Sequence, residues 1–283
     1  MDWTRNTDWP HAATSRFILC KPHKWHVQIA GDGPTILMLH GAGGATQSWR
    51  NIFAILAKSH RVIAIDLPGQ GFTKLGAQQR CGLPEMAQDI AVLCASQGWT
   101  PDIIIGHSAG AAIALEMTGL IDSRPKVIGI NAALDTFKGV AGVMFPVLAK
   151  TLAMVPMVAE IFAATATRGQ GVQKLIDSTG SKLSAGETMF YRRLFKDRRH
   201  INATLQMMAQ WDLAPLIARL PQIKNDTLLM AGQNDTMVPC DVSQQAARQM
   251  PNATFVALAQ LGHLAHEEAP DRVADVILSF VTS

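Results

Sequence analysis

The stretch that most constrains this chain is a turn between a short aliphatic run and a helix-like segment. Residues 103–105 are three isoleucines, too short a run for a helix and without a polar face, which is typical of a strand buried on both sides. Ser108 follows in the pattern Gly-His-Ser-Ala-Gly over residues 106–110, and a helix is predicted over residues 111–117. The two glycines leave room for a sharp turn with the serine hydroxyl exposed on strained backbone. The pattern predicts a nucleophile elbow with Ser108 as the nucleophile.

Composition narrows the class of protein. With 283 residues, 48% of them hydrophobic and 17% charged, the chain is long enough for a full core and is neither disordered nor a coiled coil. Its net charge of +3 is too small for a nucleic-acid-binding face, so we expect no nucleic-acid partner. The four cysteines are scattered, and the amino-terminal residues lack the apolar core of a signal peptide. We therefore expect a cytoplasmic protein with reduced thiols.

Short aliphatic runs alternate with amphipathic segments along most of the chain. Strands are predicted over residues 16–20, 25–30, 35–39, 61–65, 103–105, 126–130, 227–231 and 254–258. Helices are predicted over residues 48–59, 83–97, 111–117, 243–250 and 272–281. This order predicts an α/β fold: a mostly parallel, eight-stranded sheet with helices on both faces and functional residues at the carboxyl ends of the strands.

The alternation stops between residues 135 and 211, where Met-rich helical segments precede a basic stretch. We predict an inserted helical cap over residues 135–211, with the core formed by residues 1–134 and 212–283. The apolar segment 140–166 contains Lys150, Glu160 and two prolines, so its uninterrupted pieces are too short to span a bilayer. We expect a lid over an apolar pocket instead, and peripheral membrane contact through the cap stays open as an alternative.

The basic stretch of the cap has two interpretations. Its arginines are Arg192, Arg193, Arg198 and Arg199. They form a solvated helix face, or they bind a carboxylate group of the substrate. Both interpretations stay open at the level of the sequence.

A serine nucleophile requires a histidine base and an acid that orients it, in the chain order acid, then histidine. Asp235 follows the strand 227–231 in a turn-rich loop, and His263 follows the last strand, 254–258. Both residues therefore stand at carboxyl ends of strands, as Ser108 does. The order and the positions predict a catalytic triad of Ser108, Asp235 and His263.

Other acidic residues compete with Asp235 for the role of the acid. Asp135 follows the strand 126–130, from which an acid could also reach the histidine. Glu267 and Glu268 follow His263 directly, and we expect them to stabilise the amino-terminal end of the closing helix through its dipole.

An oxyanion hole needs two N–H donors aimed at the charge of a tetrahedral intermediate. The Ala109 amide, directly after the nucleophile, is the first predicted donor, and the Ala42 amide in the glycine-rich loop 40–44 is the second. The same loop, trailed by Asp66, superficially resembles a dinucleotide-binding turn. That interpretation fails because Thr46 stands where the third glycine of the fingerprint is needed.

The histidines give no metal-site pattern. The pairs His23/His26 and His263/His266 lack nearby cysteine or carboxylate ligands at metal-binding spacing. His40 and His107 are expected to hydrogen-bond within the loops that they flank. We therefore expect neither a cofactor nor a metal ion.

Two groups of motifs carry a resemblance to known families. His40-Gly41, Asp66-Leu67-Pro68-Gly69-x-Gly71 and the elbow make the whole chain resemble the α/β-hydrolase superfamily. Residues 8–10, 15–17, 25–28, 40–50 and 106–112 are similar to the BchO-type magnesium-chelatase accessory proteins of phototrophic bacteria. The first resemblance implies the α/β-hydrolase fold and, with serine rather than aspartate at the elbow, acyl transfer. The second implies bacteriochlorophyll synthesis, a tetrapyrrole as substrate and magnesium-chelatase subunits as partners.

Residues and resemblance together predict a serine hydrolase acting on an ester or similarly activated carbonyl of a bulky apolar substrate. Two alternatives stay open. One is a non-catalytic magnesium-chelatase accessory or tetrapyrrole-binding protein, since a fold alone does not imply turnover. The other is a hydrolase of carbon–carbon bonds, which the same three residues could support.

Overall fold

The computed structural model describes residues 1–76, 78–135 and 170–282. Eight strands form one sheet: β1 (Ser15–Cys20), β2 (His23–Ala30), β3 (Thr35–Leu39), β4 (Arg61–Ile65), β5 (Ile103–His107), β6 (Lys126–Ile130), β7 (Thr227–Gly232) and β8 (Ala253–Leu258). Their order is β1-β2-β4-β3-β5-β6-β7-β8. Only the pairs β1–β2 and β2–β4 are antiparallel. The predicted eight-stranded, mostly parallel sheet is confirmed.

Helices connect and flank these strands. The described α-helices are α1 (Arg50–Leu56), α2 (Leu83–Ser96), α3 (Ala109–Met117), α4 (Gly171–Asp177), α5 (Ala185–Lys196), α6 (Arg198–Ala209), α7 (Ala214–Arg219), α8 (Cys240–Gln249), α9 (Ala265–Glu268) and α10 (Pro270–Thr282). The helix predicted over residues 48–59 is a 3₁₀ turn, Thr46–Trp49, followed by the shorter α1. The short α9 has no counterpart among the predicted helices.

The two faces of the sheet are buried under separate helical layers. Along β3, Leu37 and Leu39 pack in a cluster with residues of α2 and α3, whereas Ile36 and Met38 pack in a second cluster with residues of α1 and α10. Successive side chains of a strand point to opposite faces, so a strand covered on both sides is apolar at every position. This explains the uninterrupted aliphatic runs of the central strands.

The helices α4, α5 and α6 lie between β6 and β7, and we call them the insertion helices. α5 begins with a capping box, in which Ser184 and Glu187 each bond the other's backbone N–H. Residues of α4 and α5 pack with Trp9 and Phe72 in a third apolar cluster. The whole apolar segment 140–166 falls within residues 136–169, which lie outside the described residues. Within the described ranges, every helix is too short or too polar to cross a bilayer.

Candidate active site

Ser108 lies in a sharp turn between β5 and α3. Its backbone has φ 52° and ψ −116°, a strained conformation for a residue with a side chain. A Cβ on Gly106 would come within 2.3 Å of the Gly110 carbonyl oxygen, and one on Gly110 within 2.1 Å of the Leu39 oxygen. Both glycines are therefore required by close backbone approach. The turn presents a half-buried serine at the amino terminus of α3.

His263 and Asp235 meet at the same edge of the sheet as Ser108. The His263 Nδ1–H donates to Asp235 Oδ2 over 2.8 Å, which leaves Nε2 of the ring free to accept a proton. His107, the neighbour of Ser108 in the chain, donates its Nε2–H to the His263 carbonyl oxygen over 2.9 Å. Both backbone and ring contacts thus bring the histidine loop against the elbow. The structure brings the three residues of the predicted triad to one edge of the sheet.

Four hydrogen bonds fix the Asp235 carboxylate. Its Oδ1 accepts the backbone N–H groups of Met237 and Val238, and its Oδ2 accepts both His263 and the side-chain amide of Asn131. Burial alone would raise the pKa of Asp235, but the hydrogen bonds, led by that of His263, outweigh it and hold the pKa below its usual 3.8. The carboxylate is therefore ionised at neutral pH and fixes the imidazole tautomer.

The sequence analysis missed Asn131. This buried residue follows β6 directly and has a φ of 47°, and its Nδ2–H group donates to Asp235 over 2.7 Å. Asparagine adopts such left-handed backbone more readily than most residues. The signal that could have found it is its place at the carboxyl end of a strand, beside the strand that leads to Asp235. The rival acid Asp135, four residues further on, is exposed.

The loop that carries Ala42 runs beside the elbow. A Cβ on Gly41 would lie 3.1 Å from the Cβ of Ser108. The Gly41 carbonyl accepts the Gly44 N–H over 3.0 Å and the His40 Nδ1–H over 2.8 Å. Since C=O and N–H of a trans peptide point in opposite directions, anchoring this carbonyl directs the Ala42 N–H the other way. Among the described residues, neither this N–H nor that of Ala109 has a hydrogen-bond acceptor.

The His40 ring supports the loop of Ala42 through hydrogen bonds that require a single tautomer of the ring. Its Nε2 accepts the Leu67 N–H over 2.9 Å, so its proton sits on Nδ1 and is donated to the Gly41 oxygen. Burial lowers the pKa of His40 and keeps the ring neutral. His40 and His107 were expected to hydrogen-bond within their own loops. His40 does so at Gly41 and also bonds Leu67 in another loop. His107 instead bonds His263 in a distant loop.

Residues beside α4 tie down the loops of the acid and the base. The Thr179 carbonyl accepts the N–H groups of both Thr236 and His263, over 3.4 Å and 3.2 Å. The Ser181 hydroxyl accepts the Leu264 N–H over 2.8 Å. The insertion therefore contacts the backbone on either side of His263 and directly after Asp235.

A model of the family described as "Alpha/beta hydrolase family" matches residues 36–276. The chain belongs to the alpha/beta hydrolase family. It is 42% identical to a protein of Rhodobacter capsulatus named "Magnesium-chelatase 30 kDa subunit", over 97% of this chain and 96% of the relative. It is 26% identical to the pimeloyl-[acyl-carrier protein] methyl ester esterase of Xanthomonas oryzae pv. oryzae, over 91% and 99%.

A solved structure shares the fold of this chain. An esterase from Exiguobacterium antarcticum superposes with a TM-score of 0.79 at 20% identity, covering 94% of this chain and 99% of the esterase. Both resemblances inferred from the sequence, to the α/β-hydrolases and to the magnesium-chelatase-associated proteins, are confirmed.

This alpha/beta hydrolase also contains a serine, a histidine and an aspartate linked by hydrogen bonds outside the predicted triad. The Ser15 hydroxyl lies 3.0 Å from His26 Nε2, and His26 Nδ1 lies 2.7 Å from Asp66 Oδ2. Ser15 has ordinary extended backbone, at φ −74° and ψ 138°, unlike the strained Ser108. Asp66 also accepts the N–H groups of Thr46 and Phe72. Asp66 is thus committed to holding these loops together.

Glu267 corrects one expectation. The predicted contact with the closing helix is wrong for this residue, since its buried carboxylate forms an ion pair with Arg50 of α1 and accepts the Tyr191 hydroxyl of α5 over 2.5 Å. Burial raises the pKa of Glu267, opposed by the Arg50 guanidinium. Glu268 accepts the backbone N–H groups of Gly262 and Lys182 instead.

Further histidines, cysteines and basic side chains lie outside the triad. Within the described ranges, no three His, Cys, Asp or Glu side chains are grouped to hold a metal ion. The four cysteines are free, as the expectation of reduced thiols requires. Of the basic residues in the insertion, Arg193 pairs with Asp8, and Arg198 and Arg199 are exposed.

Proposed function

We propose that this alpha/beta hydrolase is a serine hydrolase with Ser108 as nucleophile, His263 as base and Asp235 as the acid that orients it. The observation that carries the proposal is the hydrogen bond from His263 Nδ1 to the ionised Asp235, which leaves the opposite ring nitrogen as a base. The His263 backbone is bonded by His107, the chain neighbour of the strained Ser108. A hydrogen-bonded carboxylate both fixes the tautomer and stabilises the imidazolium that forms.

The reaction follows from these positions. Ser108 Oγ adds to a carbonyl carbon while its proton passes to His263 Nε2, and the Ala42 and Ala109 N–H groups bind the resulting oxyanion. The carbonyl reforms, the bond to the leaving group breaks, and His263 returns the proton to that group. Water then repeats the two steps on the acyl-enzyme and releases the acid.

We assign the substrate class from the relatives. One relative is named an esterase and another a magnesium-chelatase subunit, which together favour an ester of a bulky apolar molecule of the tetrapyrrole type. In this proposal residues 135–211 form a lid over the substrate, the protein is cytoplasmic, and segment 140–166 makes any peripheral membrane contact.

A second candidate function is favoured by the name of the Rhodobacter capsulatus relative. In it, the protein acts as an accessory to magnesium chelatase or binds a tetrapyrrole without turnover, and chelatase subunits are its partners. The geometry around Ser108 favours the enzyme, because a binding protein needs neither a strained serine nor free N–H donors beside it.

Fluorophosphonate labelling tests the hydrolase. We expect the probe to react with the wild-type protein and with Ser15→Ala but not with Ser108→Ala, because Ser108, unlike Ser15, has a strained backbone and lies beside the loop that carries the Ala42 amide. Ser15→Ala is a matched control, since it deletes a serine hydroxyl beside another His–Asp pair. Labelling that survives in Ser108→Ala and maps to another residue would reject this active site.

Complementation separates the two functions. In a strain that lacks the protein and makes less pigment, we expect Ser108→Ala to fail where the wild type restores synthesis. Equal rescue by both proteins would support the accessory role. A panel of esters against ring-cleavage diketones, assayed with purified protein, then separates an esterase from a carbon–carbon bond hydrolase.

A further inference from the structure

His200 on α6 is a buried histidine whose two ring nitrogens both bond to core loops. Its Nδ1 accepts the Gly71 N–H over 3.0 Å, and its Nε2 lies 3.1 Å from the Gly43 carbonyl oxygen. Because a nitrogen that accepts carries no proton, the ring proton sits on Nε2 and is donated to Gly43. His200 is therefore a donor from the insertion helices to the loop that carries Ala42.

Gly43 is held by hydrogen bonds at both its backbone N–H and its carbonyl group. Its N–H donates to Gln70 Oε1 over 2.8 Å, while its carbonyl accepts from His200. Gly43 has a φ of 77°, and a Cβ added there would meet Phe195 and Thr204 of the insertion helices at 3.8 Å. The insertion thus covers the loop directly.

This arrangement completes the anchoring of the Ala42 amide. On the amino-terminal side of Ala42, the His40 ring and the Gly44 N–H both bond the Gly41 carbonyl and so fix the Gly41–Ala42 peptide group. Gln70 and His200 fix Gly43 on the other side. Gln70 in turn donates to Met207 of α6 over 3.3 Å, so α6 supports both contacts to Gly43. An amide anchored on both sides needs no reorganisation as charge develops beside it.

We propose that His200 is a positioning residue, which couples the seating of the insertion helices to the formation of the oxyanion hole. The inference rests on the proposed function. Its consequence is that the insertion does more than cover the substrate: when α6 moves away, the Gly43 carbonyl loses its donor and the Ala42 amide loses its fixed direction. Hydrolysis then requires the insertion to be seated on the loop.

The ring is suited to this task at neutral pH. Burial lowers the pKa of His200 to about 4, with the Gly43 contact opposing the effect. The neutral ring can donate and accept at once, whereas the charged ring could only donate.

Two substitutions of similar size separate the two contacts of His200. The side-chain oxygen of His200→Asn can still accept the Gly71 N–H, but its amide is too short to reach Gly43. His200→Gln places an amide N–H near the former Nε2 and so retains the donor to Gly43 while losing the acceptor for Gly71. Each variant removes one hydrogen bond from a buried site, so their stabilities are expected to be similar.

The decisive measurement is the pair kcat and KM on p-nitrophenyl butyrate. We expect His200→Asn to lose about 10-fold to 100-fold in kcat with KM nearly unchanged, because a donor of the oxyanion hole is misdirected. His200→Gln is expected to stay within about 3-fold of the wild type. Arg193→Gln, which removes the ion pair of the insertion with Asp8 and leaves both His200 hydrogen bonds in place, is the control for general destabilisation. Equal kcat in the two His200 variants would overturn the proposal.

Hydrogen exchange of individual amides gives a readout that does not depend on turnover. We expect faster exchange at Gly43 and Gly44 in His200→Asn, and faster exchange at Gly71 alone in His200→Gln. Identical exchange patterns in the two variants would overturn the inference even in an active enzyme. If wild-type Ser108 is not labelled by the fluorophosphonate, the proposed hydrolase is rejected. The hydrogen-exchange comparison then still decides whether His200 positions the loop of Ala42.

Discussion

At the scale of single residues, the structure adds Asn131 to the predicted triad. Its side-chain amide and the His263 ring share one oxygen of Asp235, so the carboxylate cannot rotate without losing both bonds. The Asn131 side chain therefore sets the direction in which Asp235 holds the imidazole. A group that acts in this way changes the rate more than the binding of substrate.

Replacing Asn131 with glycine tests this role. Glycine tolerates the φ of 47° that alanine would not, so Asn131→Gly removes the amide with little backbone strain. We expect kcat to fall about 10-fold with little change in KM, since a hydrogen bond to a charged group contributes about 1.5–3 kcal/mol. Asn131→Asp is expected to be worse, because its carboxylate faces that of Asp235. Unchanged kcat in Asn131→Gly would show that the backbone N–H groups of Met237 and Val238 suffice.

Residue patterns predicted some of this site and not the rest. Ser108, Asp235 and His263 each stand in a local pattern at or shortly after the end of an aliphatic run, so the sequence predicted all three at one sheet edge. Asn131 follows β6 directly but belongs to no motif with a known role, and His200 lies on a helix. Their partners are 104 and 157 residues away in the chain, so the local sequence does not reveal these contacts. Glu267 was misassigned because its neighbours in sequence say nothing of Arg50 and Tyr191.

At the scale of elements, α5 is fastened to the core by a buried polar cluster. The Tyr191 hydroxyl donates to Glu267, which also pairs with Arg50, and Arg50 reaches Glu187 of α5 over 2.8 Å. Burial, with the charge of Glu267, raises the pKa of Tyr191 well above 10, so the phenol keeps its proton. The cluster links α1, α5 and α9 directly beneath the loop of His263.

Tyr191→Phe should weaken this fastening. The change removes a donor from a buried carboxylate, and we expect the free energy of unfolding to drop by about 1.5–3 kcal/mol in urea titrations. Arg193→Gln is the control from the same helix, because its exposed pair with Asp8 contributes only about 0–1 kcal/mol. Similar losses in the two variants would mean that the Glu267 cluster adds nothing beyond an ordinary surface pair.

The strands could be predicted from local sequence, whereas the short helix α9 could not. Buried aliphatic runs predicted the strands within two residues at either end, because covering a sheet on both faces leaves a continuous apolar signature. The short α9 escaped prediction, since a helix of four residues has no periodicity to recognise. Its place is set by contacts with α1 and α10, which the local sequence does not encode.

At the scale of the whole molecule, buried neutral histidines make stability depend on pH. The pKa is lowered by burial for His23, His40, His107, His200 and His266. For His107 the pKa falls to about 3 and for His200 to about 4. The unfolded chain binds these protons near pH 6.5, well before the folded protein does, so stability is complete above pH 6.5 and is lost as the pH falls.

Urea titrations between pH 7 and pH 5 measure this loss. His107 and His200 together give a slope of up to about 2.7 kcal/mol per pH unit near pH 5, from 1.36 kcal/mol per proton. The raised pKa of Glu267 opposes it, because the folded protein binds that proton first. His200→Gln, which does not titrate, should lower the slope by about half of that amount. A free energy of unfolding that is flat from pH 7 to pH 5 would contradict this account.

The contacts of His263 limit how the proton can travel. Its backbone N–H donates to the Thr179 carbonyl, its carbonyl accepts from the His107 ring, and its Nδ1–H donates to Asp235. A histidine held by two backbone bonds and one ring bond keeps its imidazole in one place. In the proposed hydrolase, nucleophile and leaving group must therefore both come within reach of one stationary nitrogen. If the proposed hydrolysis takes place, the shape of the acyl donor, rather than any motion of the base, decides which molecules are cleaved.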